Sequence, residues 1–318
     1  MKEDRFRGVI PAMMTPLTDE GKLNLGATEK LVGFLLDKGV NGLFILGTFG
    51  EGVLFSLEER RRFVEKVIGC VKGKVPVIVL ASHMEMEKTK KMIRICQDSG
   101  ADAVALLPPF YYPLSDKAIE EYFRKIFKEF ENFPFFIYNI PQCTINEISF
   151  ALLRNLTEEF SNLVGLKHSK PSLLDFQSFL PLRDKISLFI GEDSLDYSAL
   201  LLGAEGIISG PSGIFPEPYL RMYQAFVNKD YEEARRQQML INDFLRKVQE
   251  ELSLQKGEMF YFYKKALRIR GIEAGGVKEP LPTLESSREG AIAHPVSYTH
   301  LRAHETPEHL VCRLLLEK

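Results

Sequence analysis

The chain has 318 residues, of which 45% are hydrophobic and 26% charged, with a formal net charge of -2 at pH 7. This composition is typical of soluble globular domains, and a charge so close to zero offers no basic surface for nucleic acid or an anionic membrane. The length would accommodate two average domains or one α/β barrel of about 250 residues. A small soluble substrate is therefore favoured over a nucleic-acid or membrane partner.

The start of the chain and the cysteines indicate a cytoplasmic protein. The first residues, MKEDRFRGVIPAMMTP, are charged and lack the apolar core and cleavage pattern of a signal peptide, and no apolar run of about 18 residues follows. Four scattered cysteines lack the paired spacing of metal ligands and are expected to be buried or incidental thiols and not a disulfide framework: Cys70, Cys96, Cys143 and Cys312.

Short apolar or β-branched runs recur at the spacing of βα units. Eight predicted strands end near Ala12, Leu46, Leu80, Leu107, Tyr138, Lys167, Ile190 and Ser209. Runs such as Val75–Leu80 show no polar alternation, which is typical of parallel strands covered on both faces. The first strand leads into Met14–Thr18 and not into the Gly-rich turn that is usual in a doubly wound sheet. The sequence therefore predicts an α/β fold, a (β/α)8 TIM barrel.

Helical patterns separate and follow these strands. Residues 1–215 are predicted to form the barrel and residues 216–287 a C-terminal helical extension packed on it. The extension should contain three helices, over about Pro216–Asn228, Asp230–Leu252 and Lys256–Arg270. Ser56–Glu59 is typical of a capping box, and Gly39 and Gly100 stand where helices must end.

The end of the chain has a different character. Apolar periodicity is lost from about Arg288, and SYTHLRAHETPEHLVCRLLLEK resembles translated vector or adapter read-through, so residues 288–318 are predicted to be a non-native or disordered tail. Four of the six histidines fall there: His294, His300, His304 and His309. They lack a nearby acidic motif or a second anchoring cluster, so no metal site is predicted.

Four strand ends carry side chains of the types that take part in catalysis and binding. They are Gly47–Glu51 (GTFGE) after the second strand, Pro108–Pro113 (PPFYYP) after the fourth, Tyr138–Pro141 (YNIP) at the fifth and Lys167 at the sixth. In a barrel the carboxyl ends of all strands meet in one mouth. A lysine, tyrosines and a Gly-bracketed threonine are therefore predicted to share one site.

Lys167 is predicted to form a Schiff base with a 2-oxo acid. A lysine that ends an apolar run is often only a solvated cation. However, carbon–carbon cleavage beside a keto group needs an amine whose imine acts as an electron sink, and burial favours the uncharged amine that attacks. Tyr138, Thr48 and Tyr111 are candidates for a relay that moves protons to and from the substrate hydroxyl.

The turn from Gly47 to Gly50 is a candidate anion site, because glycines expose backbone N–H groups that can hold a carboxylate. Each of these residues also has a structural interpretation, as a turn threonine, a rim tyrosine or a packed tyrosine pair. Their combination at one mouth favours the catalytic interpretation.

GTFGE, PPFYYP, YNIP and GLK resemble motifs of the dihydrodipicolinate synthase and N-acetylneuraminate lyase family of class I pyruvate-dependent aldolases, over about residues 8–282. The resemblance implies that Lys167 is the imine lysine, Tyr138 the proton donor and acceptor, and Thr48 a relay hydroxyl. It implies that Tyr111 reaches into a neighbouring subunit's site and that the backbone carbonyl of Ile208 positions the keto acid. It further implies a homotetramer built as a dimer of dimers, and no metal or organic cofactor.

Three departures from the family pattern bear on the substrate. Phe49 replaces a second hydroxyl residue, so only its backbone N–H can hold a carboxylate, and its ring must change the pocket or point away. Cys143 stands where the synthases carry an arginine for the carboxylate of their aldehyde, and a thiol cannot replace a guanidinium. Asp193 retains one polyol contact of the sialic acid lyases, while Ser194 replaces the glutamate that provides another.

The sequence therefore predicts a Schiff-base aldolase or lyase that cleaves or forms a 2-keto-3-deoxy sugar acid or related 4-hydroxy-2-oxo acid. Its partners would be pyruvate or another 2-oxo acid together with an aldehyde. Two alternatives use the same imine: 4-hydroxy-tetrahydrodipicolinate synthase and keto-deoxy sugar acid dehydratase. A non-catalytic keto-acid-binding barrel is an alternative of another class. His168 should face away from the site, and Lys170 should be an unrelated amine on the following loop.

Overall fold

A computed structural model describes residues 5–293 of the chain. Eight parallel strands form one sheet: β1 (Gly8–Val9), β2 (Leu43–Ile45), β3 (Val77–Leu80), β4 (Ala103–Leu106), β5 (Phe135–Asn139), β6 (Leu163–His168), β7 (Ser187–Ile190) and β8 (Gly206–Ile207). Their order is β1-β8-β7-β6-β5-β4-β3-β2. The sheet curls until its edges meet, since Phe44 N–H donates to Pro11 O and Met13 N–H to Phe44 O, each at 2.9 Å. The expected TIM-like α/β architecture is confirmed.

The helices lie between and after the strands. They are α1 (Leu25–Lys38), α2 (Leu57–Val71), α3 (Met86–Ser99), α4 (Asp116–Glu129), α5 (Pro141–Thr144), α6 (Phe150–Glu159), α7 (Leu173–Ser178), α8 (Asp196–Leu202), α9 (Pro216–Val227), α10 (Tyr231–Leu252), α11 (Glu258–Ile269) and α12 (Ser286–Glu289). The capping box at Ser56 and Glu59 is present, and Gly39 and Gly100 end their helices with φ of 83°. The helices α9 to α11 match the three expected after the last strand, whereas the division into barrel and extension stays a prediction.

Every residue of the eight strands is buried, as their continuous apolar runs predict. Large rings fill the barrel interior below its mouth, among them Phe44, Phe136 and Phe189. Gly165 on β6 makes room for one of them, because a Cβ there would lie 2.1 Å from the Phe136 ring. This apolar floor supports the strand ends that carry the candidate site.

Part of the predicted tail lies outside the described residues, including His294, His300, His304, His309 and Cys312. Where the tail begins, the Arg288 guanidinium forms an ion pair with Glu258 at 2.9 Å and donates to Leu252 O. Within residues 5–293, no helix is both long and apolar enough to cross a membrane.

His168 lies on the outer face of β6, away from the barrel interior, as expected, and is fully buried between the sheet and α7. Its Nδ1 lies 3.1 Å from Asn139 Nδ2, so this nitrogen accepts a hydrogen bond and the neutral ring fits the site. Burial lowers the pKa of His168 to about 4.

We expect this histidine to make the protein less stable in acid. The folded-state pKa lies below the unfolded value, so the stabilisation is present above pH ~6.5 and is lost as the pH falls toward 4. The difference corresponds to roughly 3 kcal/mol of unfolding free energy. His168→Gln keeps an acceptor for Asn139 but does not titrate, so urea unfolding of this variant should depend less on pH between 6.5 and 4. Equal pH dependence in both proteins would contradict the prediction.

Candidate active site

A cavity of about 390 Å³ opens at the carboxyl ends of the strands. Its lining contains seven of the residues predicted from the sequence: Thr48, Phe49, Tyr138, Cys143, Lys167, Asp193 and Ile208. Residues that were not predicted also line it, among them Gln142, Ser169, Gly191, Glu192, Gly210, Leu245, Met259, Phe260 and Tyr263. The strand ends therefore meet around Lys167, and α10 and α11 add an outer wall.

Lys167 presents a buried amine to this cavity. Lys167 on β6 lies opposite Tyr138 on β5 in the strand register, and the residue is only 4% exposed. Its Nζ lies 4.1 Å from the centre of the Tyr138 ring and 4.5 Å from that of Phe44. Within the described residues no carboxylate lies within ion-pair distance of this nitrogen, whereas Lys170 on the following loop is paired with Glu147 and Asp175. Of the two lysines, Lys167 alone faces the cavity.

Two hydroxyls meet beside this lysine. Thr48 Oγ1 lies 3.4 Å from the Tyr138 hydroxyl, a long hydrogen bond in which either oxygen can be the donor, and the proton relay stays a prediction. The turn that carries Thr48 is closed by Glu51 N–H donating to Thr48 O at 3.1 Å and Gly52 N–H donating to Gly47 O at 3.2 Å. Across the described ranges no acceptor is found for the N–H groups of Thr48 and Phe49. These two donors are therefore available to an anion.

The two glycines of the turn lie beside the cavity and not in its lining. Gly50 is buried, and a Cβ there would come within 3.0 Å of Met13 O and Leu46 N. Its carbonyl accepts a hydrogen bond from Thr15 Oγ1 at 2.6 Å. Gly47 lines a second cavity on the other side of Thr48. The geometry gives both glycines a role in shaping the turn; direct contact with substrate stays a prediction.

The Phe49 ring forms a wall of the cavity. Its face covers Gly210, since a Cβ on that glycine would lie 2.4 Å from the ring. The ring also packs against Phe260 and Tyr263 of α11, with centroids 5.7 and 5.4 Å away. Phe49 therefore connects the Gly47–Glu51 turn to helix α11.

Gly191, directly after β7, leaves open the space beside the lysine. A Cβ at this position would lie 2.9 Å from Lys167 Cε, 2.2 Å from Ser169 Oγ and 3.3 Å from Ile208 O. Among the described residues no hydrogen-bond donor reaches Ile208 O, so this carbonyl is free to contact a ligand. Sequence reasoning missed Gly191, although a glycine that ends an apolar strand run was a usable signal.

We expect Gly191→Ala to reduce activity roughly 100-fold, because the added methyl must displace Lys167 or Ser169 and a displacement of about 1 Å has effects of that size. Gly69→Ala on α2 is the matched control, since a Cβ there meets nothing within 4 Å. The measurement is deuterium incorporation into the methyl group of pyruvate in D2O, compared with the melting temperature. Wild-type exchange in Gly191→Ala would contradict the prediction.

The acidic side of the cavity comes from the segment after β7. Asp193 Oδ1 accepts hydrogen bonds from Ser209 Oγ and, at 2.8 Å, from the Tyr219 hydroxyl. Burial raises the pKa of Asp193 to about 6, although these two donors oppose the shift. Glu192, which sequence reasoning missed, lines the cavity and accepts from Ser194 Oγ at 2.9 Å. Two carboxyl groups therefore line the same cavity as Lys167.

Tyr111 lies away from the cavity within its own chain. It has a left-handed φ of 84°, it is 71% exposed, and its ring packs edge-on against Tyr112. Left-handed backbone is uncommon for a bulky residue and occurs where the surroundings or function require it. Within one chain, therefore, the predicted relay contains Tyr138 and Thr48 and lacks Tyr111.

Cys143 on α5 is exposed and lines the cavity together with Gln142. No arginine is among the lining residues, and Lys167 is the sole lysine there. Within residues 5–293 no cluster of three or more His, Cys, Asp or Glu side chains is arranged to hold a metal ion.

Known proteins resemble this chain in sequence and in fold. The chain matches the Dihydrodipicolinate synthetase family over residues 5–298. The N-acetylneuraminate lyase of Mediterraneibacter gnavus is 32% identical over 286 residues, which cover 88% of each chain. The 4-hydroxy-tetrahydrodipicolinate synthase of Methanocaldococcus jannaschii is 31% identical over 230 residues, 72% of this chain and 78% of that protein. The structure of Ruminococcus gnavus sialic acid aldolase has a TM-score of 0.86 at 29% identity, covering 94% of this chain and 99% of that one.

The barrel, its lysine-bearing mouth and these relatives together define an α/β-barrel lyase. The chain belongs to the Dihydrodipicolinate synthetase family. The resemblance found in its motifs is thereby confirmed, and the family match extends beyond the residues 8–282 expected from those motifs.

Proposed function

We propose that the protein is a class I aldolase or lyase in which Lys167 forms an imine with pyruvate or a related 2-oxo acid. The observation that carries the proposal is the buried Lys167 amine, which has no carboxylate partner in the described structure and lies beside the Thr48–Tyr138 hydroxyl pair. Another solved structure that resembles this chain, at 28% identity and a TM-score of 0.87, is a catalytic lysine mutant of Ruminococcus gnavus sialic acid aldolase.

In this mechanism the substrate's carboxylate accepts hydrogen bonds from the free N–H groups of Thr48 and Phe49, while its C2 carbonyl faces Lys167. The amine adds to C2, and the departing hydroxyl takes the Tyr138 proton and leaves as water, which gives the protonated imine and a Tyr138 phenolate. Tyr138 then accepts the proton of the C4 hydroxyl, the C3–C4 bond breaks, and an aldehyde is released as the electrons move into the imine. Protonation of the resulting enamine at C3 and addition of water release pyruvate and restore Lys167.

The other half of the substrate is proposed to be a polyhydroxylated aldehyde. The cavity is also lined by hydrogen-bonding side chains, those of Gln142, Ser169, Glu192 and Asp193. An aldehyde with its own carboxylate would meet two carboxyl groups and no arginine, which is unfavourable. The favoured substrates are therefore 2-keto-3-deoxy sugar acids and related 4-hydroxy-2-oxo acids.

We also propose that the active unit is a homo-oligomer in which Tyr111 of one subunit completes the relay of another. Its exposure, its left-handed backbone and its distance from the cavity of its own chain support this role. The apolar cavity of about 280 Å³ on the other side of Thr48, lined in part by Phe110, provides space next to the relay. The dimer of dimers and the cytoplasmic location stay predictions, and light scattering with activity measured on dilution tests the former.

Incubation with pyruvate and borohydride tests the mechanism, since the reduced imine should appear as a pyruvyl mass on the peptide that carries Lys167. An unmodified peptide would refute it. A panel of keto-deoxy sugar acids then separates the reactions. Release of pyruvate indicates aldol cleavage, whereas loss of water with the carbon skeleton retained indicates a dehydratase. Condensation of pyruvate with an aldehyde that carries its own carboxylate would indicate the synthase, and tight binding of pyruvate analogues without any turnover would indicate a non-catalytic barrel.

A further inference from the structure

A buried ion pair lies outside the cavity lining at Lys167 and connects the catalytic turn to α11. Lys264 Nζ lies 2.6 Å from Glu51 Oε1, and both side chains are completely buried. The other carboxylate oxygen, Oε2, accepts the backbone N–H of Lys278 at 2.6 Å. Lys264 also donates to Gly276 O at 2.6 Å. Each charge thus has two partners: the other member of the pair and one backbone group of residues 276–278.

Burial of two charges is costly, and an apolar pair of similar volume often stabilises a fold as well or better. Stability alone is therefore a weak explanation for this pair. An ion pair whose carboxylate also accepts a backbone hydrogen bond does what an apolar pair does not: it holds that carboxylate at a defined position. We therefore expect the pair to hold a particular group in place.

The pair acts directly on the turn that carries Thr48. Glu51 ends this turn in the left-handed conformation, with φ of 56°, and its N–H donates to Thr48 O at 3.1 Å. From the same helix as Lys264, the rings of Phe260 and Tyr263 pack against Phe49. The helix α11 therefore contacts the residue after Thr48 through rings and the end of the turn through an ion pair.

We infer that Lys264 is a positioning residue that, through Glu51, holds the Thr48 hydroxyl within reach of Tyr138. This role rests on the proposed function, because it concerns proton transfer by the Thr48–Tyr138 pair. Lys264 itself does not line the cavity and touches no reacting atom. Its loss should slow proton transfer at C3 of the enamine while leaving Lys167 able to form the imine.

The test compares Lys264→Met with Lys278→Met. Lys278 is the matched control because its ammonium also joins the C-terminal segment to the barrel, through Glu59 at 2.8 Å, while its contact with Glu51 comes from the backbone N–H, which the substitution retains. Imine formation is counted by trapping with pyruvate and borohydride. Proton transfer is measured as deuterium incorporation into the pyruvate methyl group, expressed per trapped site. The expected result is a 10- to 100-fold slower exchange per site in Lys264→Met, and a rate within about two-fold of wild type in Lys278→Met.

Because Lys264→Met leaves a carboxylate buried without its cation and can prevent folding, Glu51→Gln is measured beside it. This variant keeps the side-chain shape and an acceptor for Lys278 N–H, and its exchange per site should fall roughly 10-fold. Unchanged exchange per trapped site in either folded variant would overturn the positioning role and leave the ion pair a structural one. A wild-type protein that traps no pyruvate would overturn the proposed function itself and this role with it.

Discussion

Lys167→Met is expected to lose imine formation and turnover together, by roughly 10⁴-fold or more, as removal of a covalent nucleophile does in other enzymes. Methionine has nearly the length of the lysine stem and suits the faces of Phe44 and Tyr138, which now lie 4.5 and 4.1 Å from Nζ. The free energy of unfolding should stay the same or rise, because a buried polar group without a carboxylate partner is replaced by an apolar one.

The measurement combines borohydride trapping, deuterium exchange of pyruvate and thermal unfolding. Lys170→Met is the control, since that neighbouring lysine is engaged with Glu147 and Asp175, both at 2.9 Å. It should retain activity close to that of wild type and lose only a small surface contribution to stability. Substantial exchange in folded Lys167→Met would exclude this residue as the imine lysine.

Tyr138→Phe is expected to separate imine formation from proton transfer. The change removes one hydroxyl and leaves a ring over the lysine and against Phe44, whose centroid lies 5.7 Å away. Pyruvate should still be trapped on Lys167, while exchange at the methyl group should fall by about 10²- to 10⁴-fold, the usual contribution of a general acid–base group.

Tyr122→Phe on α4 provides the comparison, because it removes a half-buried phenol that lies outside the cavity lining. Its exchange rate should match that of wild type. Thr48→Val should have an intermediate effect if the hydroxyl 3.4 Å from Tyr138 relays the proton. Equal exchange in Tyr138→Phe and wild type would exclude the tyrosine as the acid–base group.

The strands could be predicted from the sequence because a parallel strand covered on both faces must be apolar throughout. Lys167 stood out for the same reason: it interrupts such a run at its carboxyl end. The helices α9 to α11 followed from their periodicity, and the observed bounds agree closely with the predicted ones. The cavity lining was only partly predictable. The sequence marks Gly191 only as a glycine that ends an apolar run, whereas its importance lies in the 2.9 Å between a Cβ there and Lys167 Cε.

The contribution of α11 could not be predicted at all. Helical periodicity indicates that Phe260, Tyr263 and Lys264 belong to a helix, but it does not tell which part of the chain the helix contacts. More than 200 residues separate this helix from the turn at Thr48. The side-chain direction of Phe49 could not be predicted for the same reason, because it is determined by packing against α11 and Gly210.

By itself the sequence determined the order of parallel strands and helices and the placement of a lysine, a tyrosine and a threonine at strand ends. These features depend on local periodicity and on the rule that strand ends share one mouth. Only the tertiary structure decided which groups are free to act. It left the Lys167 amine without a carboxylate in the described structure, engaged Asp193 with Ser209 and Tyr219, and buried the Glu51–Lys264 pair behind the turn. The reason is physical: hydrogen-bond partners and desolvation arise from groups distant in sequence, so they exist only once the chain has folded.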